Sequence, residues 1–184
     1  VVKQKGRVTD LENGLSVFGS GGIAHTRWAT HGAPNEKNAH PHIDCLNSIA
    51  IVHNGIIENY HSLKELLIKE GHVFNSETDS EVIAHLVEKF YAGDLEKAVM
   101  LALDCLEGAF GIAVMHKDED VIVAARKGSP LLVGLGVNEM FVASDAAAIL
   151  PYTKEVIYLK DNEIAILTRD NYVVKNFSGE TVNP

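Results

Sequence analysis

The chain has 184 residues, of which 46% are hydrophobic and 22% charged, a balance typical of a soluble globular domain with its own core. A formal net charge of −9 without a cluster of basic residues argues against nucleic acid or an anionic membrane as a partner. Two cysteines, no signal peptide and no apolar run long enough to span a membrane predict a cytoplasmic protein with reduced thiols.

The first third of the chain alternates short apolar runs with polar, glycine-containing segments. A weak helical pattern covers residues 7–15, and a strand is predicted for residues 23–28. The loop that follows extends to about residue 47, and loops of this length more often have a function than merely connect elements. Residues 48–52 form a continuous apolar run, typical of a strand that is buried on both faces.

Three helices are predicted in the middle of the chain. Residues 62–65 and 78–81 have the spacing of capping boxes, which open two helices that end at Gly71 and Gly93. A third helix is predicted from residue 95 to about residue 106.

From residue 109 onward the pattern changes to short β-rich runs separated by turn residues. The predicted strands are 110–116, 121–126, 131–135, 140–143, 155–159, 163–167 and 172–174, with a brief helix at 146–150. The order of strands, helices and strands predicts a layered domain of the α/β or α+β type with a largely antiparallel sheet.

Arg27 and Asp79 are candidates for the recognition of a free α-amino acid. The planar guanidinium of Arg27 can bind a carboxylate through two parallel hydrogen bonds, or it can form a structural ion pair. Asp79 lies in the first turn of a predicted helix, where the helix dipole stabilises a carboxylate; alternatively it would bind a substrate ammonium group. The sequence does not establish that the two residues meet.

Asn54 and Gly55 follow the most buried predicted strand. Asn-Gly is a signal for a type I′ hairpin turn, but a helical pattern follows residues 56–59, which disfavours a hairpin. The alternative is an oxyanion hole, in which the Asn54 amide and the Gly55 N–H point at one developing charge.

Five of the nine histidines lie within 29 positions: His25, His31, His40, His42 and His53. Their density suggests a metal, but no Cys-x-x-Cys or His-Glu-x-x-His spacing is present, so we predict no metal and no cofactor. His31 differs from the others because it follows Thr30 in a loop, where it can face a ligand.

The two cysteines differ in their predicted surroundings. Cys105 lies on the predicted apolar face of a helix, which indicates a core residue. Cys45 lies in the long loop near several histidines, so a Cys–His nucleophile is conceivable, although the surrounding sequence does not support it.

Several motifs together carry a resemblance to a known family. Residues 22–32, 38–42, 52–59 and 76–84, with 128–131 and 143–145, closely resemble the glutaminase domain of the glucosamine-6-phosphate synthase family. These enzymes are class II glutamine amidotransferases with the N-terminal-nucleophile hydrolase fold. The resemblance extends over about residues 21–169 and implies an α+β fold, a four-layer αββα sandwich that lacks its first strand or strands.

Carried over position by position, the resemblance implies a binding site for L-glutamine and its product L-glutamate. Arg27 would hold the α-carboxylate of glutamine, and Asp79 its α-ammonium group. Thr30 and His31 would line the same pocket, and Trp28 matches the tryptophan that gates the passage of ammonia in the family.

For the chemical step, the resemblance implies that Asn54 and Gly55 form the oxyanion hole. The family's nucleophile is a cysteine at the mature N-terminus, whose α-amino group acts as the general base. This chain starts with Val1, and the internal Cys45 and Cys105 have no free amine beside the thiol. We therefore expect residues 1–184 to be one glutaminase domain, incomplete at its N-terminus and inactive alone.

The resemblance also implies partners. In the family, the ammonia is used by a C-terminal sugar-isomerase domain to convert fructose 6-phosphate to glucosamine 6-phosphate, and we expect the full protein to be a homo-oligomer.

Two alternatives stay open. The amidophosphoribosyltransferase family would share the fold and the glutaminase step, but it favours Tyr-Ser-Thr where residues 28–30 are Trp-Ala-Thr. The other is a non-catalytic amino-acid-binding or regulatory module.

Overall fold

The computed structural model of the protein describes residues 1–6, 8–9, 19–27 and 32–183. The weak helical pattern at 7–15 falls largely outside these residues. So do three of the predicted site residues, Trp28, Thr30 and His31.

The described residues form three α-helices and nine strands. The helices are α1 (Tyr60–Lys69), α2 (Glu81–Phe90) and α3 (Leu95–Leu103). The strands are β1 (His42–Ile43), β2 (Ile49–Ile57), β3 (Gly108–His116), β4 (Ile122–Lys127), β5 (Leu132–Leu135), β6 (Met140–Ala143), β7 (Val156–Tyr158), β8 (Glu163–Leu167) and β9 (Tyr172–Asn176). A 3₁₀ turn covers Ala146–Ala148, within the predicted brief helix. No helix in the described part of the chain is long and apolar enough to cross a membrane.

The strands form two sheets. Six strands are arranged in the order β1-β2-β3-β4-β8-β9, and three in the order β6-β5-β7. Every pair of neighbouring strands is antiparallel, which confirms the predicted sheet type.

Alternation along β4 shows how the layers pack. Val123 and Ala125 belong to the core between the six-stranded sheet and the helices, whereas Ala124 belongs to a second core with Val133 of β5. Because successive side chains of a strand point to opposite faces, the six-stranded sheet is covered by helices on one face and by the three-stranded sheet on the other. The described residues thus form three of the four expected layers.

Three local predictions need correction. Residues 23–27 have no regular secondary structure, and β2 continues to Ile57 instead of ending at residue 52. Helix α1 begins two residues before Ser62, so the predicted capping box does not open it. The preceding Asn59 makes no side-chain cap; its Nδ2 instead donates to the Cys105 carbonyl, just after α3, at 2.9 Å.

The second capping box also differs from the prediction. Helix α2 begins at Glu81, and the preceding residue, Ser80, makes no side-chain cap. The Glu81 carboxylate instead accepts hydrogen bonds from the backbone N–H groups of Asn75 (2.8 Å) and Ser76 (2.7 Å). This contact ties the segment before α2 to the first residue of the helix.

Candidate functional site

A cavity of about 180 Å³ lies where β2, the segment before α2 and residues 25–27 meet. Its volume is below the roughly 300–1,000 Å³ typical of sites for drug-sized ligands, so it suits a small metabolite. The residues that line it are His25, Thr26, Arg27, His40, His53, Asn54, Gly55, Thr78, Asp79 and Ser80.

The structure brings Arg27 and Asp79 together in the lining of this one cavity. The Arg27 guanidinium donates to the backbone carbonyls of Gly32 (3.3 Å) and Ala33 (3.4 Å), which anchors it on the following loop. Asp79 is buried, and its Oδ2 accepts a hydrogen bond from the Ile57 N–H at 2.8 Å. A cation and an anion therefore share a cavity of the size of a small zwitterion.

Asp79 does not lie in the first turn of a helix, as the sequence suggested. It precedes the first helical residue, Glu81, by two positions, and its hydrogen bond goes to the backbone at the end of β2. The hydrogen bond from the Ile57 N–H therefore positions this carboxylate, and the dipole of the helix does not.

Asn54 and Gly55 lie inside β2, where they pair with Gly111 and Phe110 of β3. Gly55 has a φ of 138°, and a Cβ at this position would lie 2.0 Å from the carbonyl oxygen of Ala109. Only glycine fits this close approach of two backbones. Both residues line the cavity, with the Asn54 side chain exposed.

Buried histidines form the wall behind the cavity. His53 Nδ1 lies 2.8 Å from Ser80 Oγ, and the His53 backbone N–H donates to His40 Nδ1 at 3.3 Å. His42 Nε2 lies 3.1 Å from Thr78 Oγ1. These bonds connect β1 and β2 to the segment on both sides of Asp79.

Burial keeps these imidazoles neutral. Burial lowers the pKa of His42 to about 3, and the positive charge of Lys3 contributes in the same direction. For His53, burial lowers the pKa to about 4. Burial also lowers the pKa values of His40 and His25, and the charge of Arg27 adds to both effects. Arg27 therefore supplies the positive charge among the described residues that line the cavity.

Six of the lining residues were not among the predicted site residues: His25, Thr26, His40, His53, Thr78 and Ser80. Thr78 and Ser80 flank Asp79 in the sequence. Their polar side chains also fit a capping box, so nothing in the sequence assigned them to the cavity wall. The density of histidines was a usable signal, because three of the five line the cavity.

Neither cysteine is among the described residues that line the cavity. Cys105 is half-buried at the end of α3, and its Sγ lies 3.5 Å from the Leu101 carbonyl oxygen. Cys45 is exposed in the loop between β1 and β2, and its Sγ contacts His72 and His85, not the histidines near it in sequence.

A family model described as "Glutamine amidotransferase domain" matches residues 25–151, which include all the residues that line the cavity. The chain belongs to this family. Over 97% of its length it is 53% identical to the glutamine–fructose-6-phosphate aminotransferase (isomerizing) of Thermotoga maritima. It is also 53% identical to the protein of that name from Aquifex aeolicus, over 100% of this chain. The resemblance to the glucosamine-6-phosphate synthase family is thereby confirmed.

This amidotransferase chain spans 30% and 32% of the length of those two relatives. Among solved structures it is similar to the glutamine phosphoribosylpyrophosphate amidotransferase of B. subtilis in complex with ADP and GMP. The TM-score is 0.70 at 26% identity, over 85% of this chain and 35% of that one. The N-terminal-nucleophile hydrolase type of α+β fold is confirmed, while the higher identity to the aminotransferases disfavours the amidophosphoribosyltransferase alternative.

Proposed function

We propose that this chain is the glutamine-binding, glutaminase part of a glutamine–fructose-6-phosphate aminotransferase. In the whole protein, L-glutamine is hydrolysed to glutamate and ammonia, and a C-terminal sugar-isomerase domain uses the ammonia to convert fructose 6-phosphate to glucosamine 6-phosphate. The observation that carries the proposal is the presence of Arg27, Asp79, Asn54 and Gly55 in the lining of one small cavity.

Recognition of the amino acid uses two charges. Arg27 holds the α-carboxylate through its planar fork, and Asp79 accepts hydrogen bonds from the α-ammonium group. The bond from the Ile57 N–H to Asp79 Oδ2 fixes the carboxylate before the ligand arrives, so little ordering is needed on binding.

The chemical step needs a stabiliser for negative charge. When a thiolate attacks the side-chain amide carbon of glutamine, a C–S bond forms and the carbonyl electron pair moves to oxygen. The Asn54 amide and the Gly55 N–H donate to this oxyanion. Collapse of the intermediate expels ammonia, after proton transfer to nitrogen, and water then hydrolyses the thioester to glutamate.

The thiolate in this scheme is the terminal cysteine of the family, with its own amine as the base. Cys45 and Cys105 are unsuitable because neither lines the cavity in the described part of the chain. Within the same proposal, Thr30 and His31 complete the glutamine pocket, Trp28 gates ammonia, and residues 1–184 form one glutaminase domain.

The recognition roles can be separated by calorimetric titration with three ligands: L-glutamine, glutaramate, which lacks the α-amino group, and 4-aminobutanamide, which lacks the α-carboxylate. We expect wild type to prefer L-glutamine to both analogues. R27A should lose the preference over 4-aminobutanamide alone, and D79N the preference over glutaramate alone. Equal losses for all three ligands in either variant would refute the assignment.

A further inference from the structure

A second cluster of reactive side chains lies apart from the residues that line the cavity, and only its cysteine is exposed. It contains Cys45 from the loop between β1 and β2, His72 from the segment after α1, and His85 and Glu88 from α2. One ligand atom from each of the four residues lies within 4.8 Å of all the others. Three separate segments thus converge on one point.

The distances have the size of the edges of a metal coordination tetrahedron. Cys45 Sγ lies 3.8 Å from His72 Nδ1 and 3.5 Å from His85 Nδ1. Glu88 Oε2 lies 2.9 Å from His72 Nδ1 and 3.2 Å from His85 Nδ1. Bonds of about 2.3 Å to sulfur and about 2.0 Å to nitrogen and oxygen place tetrahedral ligand atoms roughly 3.3–3.6 Å apart. These four distances differ from the tetrahedral values by only a few tenths of an ångström, and the other two pairs of ligand atoms lie within 4.8 Å.

The second ring nitrogen of His85, Nε2, favours a bound cation over a network of hydrogen bonds alone. His85 Nε2 is buried without a hydrogen-bond partner among the described residues, 3.8 Å from Glu81 Oε1. If Nδ1 of a neutral ring donates to Glu88, the lone pair of Nε2 faces a second carboxylate. If Nδ1 binds a metal, Nε2 carries the proton and points towards Glu81, the carboxylate–histidine–metal arrangement of many metal sites.

Backbone groups around the cluster also suit an anionic ligand set. The Val73 N–H donates to Cys45 Sγ at 3.4 Å, and the Cys45 N–H donates to Glu88 Oε2 at 3.2 Å. Such donors stabilise a thiolate and a carboxylate and hold them in place.

We propose that Cys45, His72, His85 and Glu88 bind one Zn²⁺ ion in a closed, four-coordinate structural site. A thiolate with two imidazoles and a carboxylate is the ligand set of a borderline-soft cation, and four protein ligands leave no open position for catalysis. The ion fastens the loop at Cys45 and the segment after α1 to helix α2. The sequence did not reveal the site because its ligands come from three segments, and only His85 and Glu88 have a helical i, i+3 spacing.

The test is a titration of the metal-stripped chain with Co²⁺, followed by Zn²⁺. We expect one Co²⁺ per chain, strong visible bands of tetrahedral cobalt and a thiolate-to-cobalt charge-transfer band in the near ultraviolet. Zn²⁺ should displace the cobalt and abolish both. C45S should lose the charge-transfer band and bind Zn²⁺ at least roughly 10- to 100-fold more weakly, whereas C105S should behave like wild type.

A second pair of variants distinguishes a metal site from the alternative, in which a protonated His85 bridges Glu81 and Glu88 without a metal. H72Q should also weaken Zn²⁺ binding, while H61Q, at an exposed position on α1, should not. Circular dichroism of the metal-free variants establishes that they fold. The absence of stoichiometric Zn²⁺ binding in the wild type, or binding that C45S and H72Q leave unchanged, would overturn the proposal.

Discussion

The Asp79 carboxylate accepts a hydrogen bond from the backbone N–H of Ile57 at 2.8 Å. This contact joins the segment before α2 to the end of β2, two strand positions beyond Gly55. It therefore sets the position of the proposed ammonium-binding group relative to the proposed oxyanion hole.

Substitution D79N tests the charge of this group, because asparagine preserves the shape and can still accept from Ile57. We expect L-glutamate to bind roughly 10- to 100-fold more weakly, the loss typical of a hydrogen bond to a charged group. Calorimetry with D104N as the matched control measures this, since Asp104 is an exposed carboxylate at the end of α3. Equal affinities of D79N and D104N would remove Asp79 from the binding site.

Substitution R27K retains the charge and removes the planar fork. We expect about 10-fold weaker binding of L-glutamate with an unchanged free energy of unfolding, because the side chain is only half-buried. The control is R169K at an exposed arginine. If R27K binds L-glutamate as tightly as R169K does, a bidentate hydrogen bond between Arg27 and the α-carboxylate is excluded.

Gly55 is required for steric reasons that another glycine does not share. G55A places a methyl group 2.0 Å from the Ala109 carbonyl oxygen, whereas G71A, also at positive φ, meets nothing within 4 Å. Both substitutions place alanine at a positive φ, and only G55A adds the overlap, so G55A should be less stable than G71A by about 1–3 kcal/mol. Urea denaturation gives both values, and equal losses of stability would contradict the close packing of β2 on β3.

Acid should destabilise the fold through its buried histidines. His42 and His53 have pKa values near 3 and 4 in the folded state against an ordinary 6.5, so the unfolded chain binds more protons. Their contribution to stability is complete above about pH 6.5 and is lost as pH falls towards the folded pKa, by up to about 1.4 kcal/mol per pH unit for each group.

Urea midpoints at about pH 7.5 and about pH 5 test this, above the range in which carboxylates titrate. H42Q should reduce the difference between the two midpoints, and H61Q, at an exposed position, should leave it unchanged. Identical wild-type midpoints at the two pH values would show that these histidines are not held neutral.

Most of the secondary structure was predictable because its patterns are local. The three helices and the strands after residue 108 follow from periodicity and from turn residues such as Gly71, which has positive φ just after α1. Gly93 also has positive φ, but it does not end α2, because the helix ends at Phe90 and Tyr91 is already extended. The end of β2 was not predictable, because Asn54 and Gly55 are typical turn residues and only pairing with β3 keeps them in a strand.

The candidate site was predictable only in part. Arg27, Asn54, Gly55 and Asp79 were identified from chemistry and resemblance, but their meeting in one cavity depends on tertiary contacts such as that between Asp79 and Ile57. Trp28, Thr30 and His31 lie outside the described residues, so their roles stay predictions.

The most direct test of the account is the release of ammonia and glutamate from L-glutamine, measured on the full gene product and on this 184-residue chain. We predict equimolar ammonia and glutamate from the full protein. The short chain should bind L-glutamine but hydrolyse it roughly 10⁴- to 10⁶-fold more slowly, because neither of its cysteines is among the described residues that line the cavity. Comparable rates from both would contradict the assignment of the nucleophile, and release from neither would contradict the glutaminase function and favour an amino-acid-binding module.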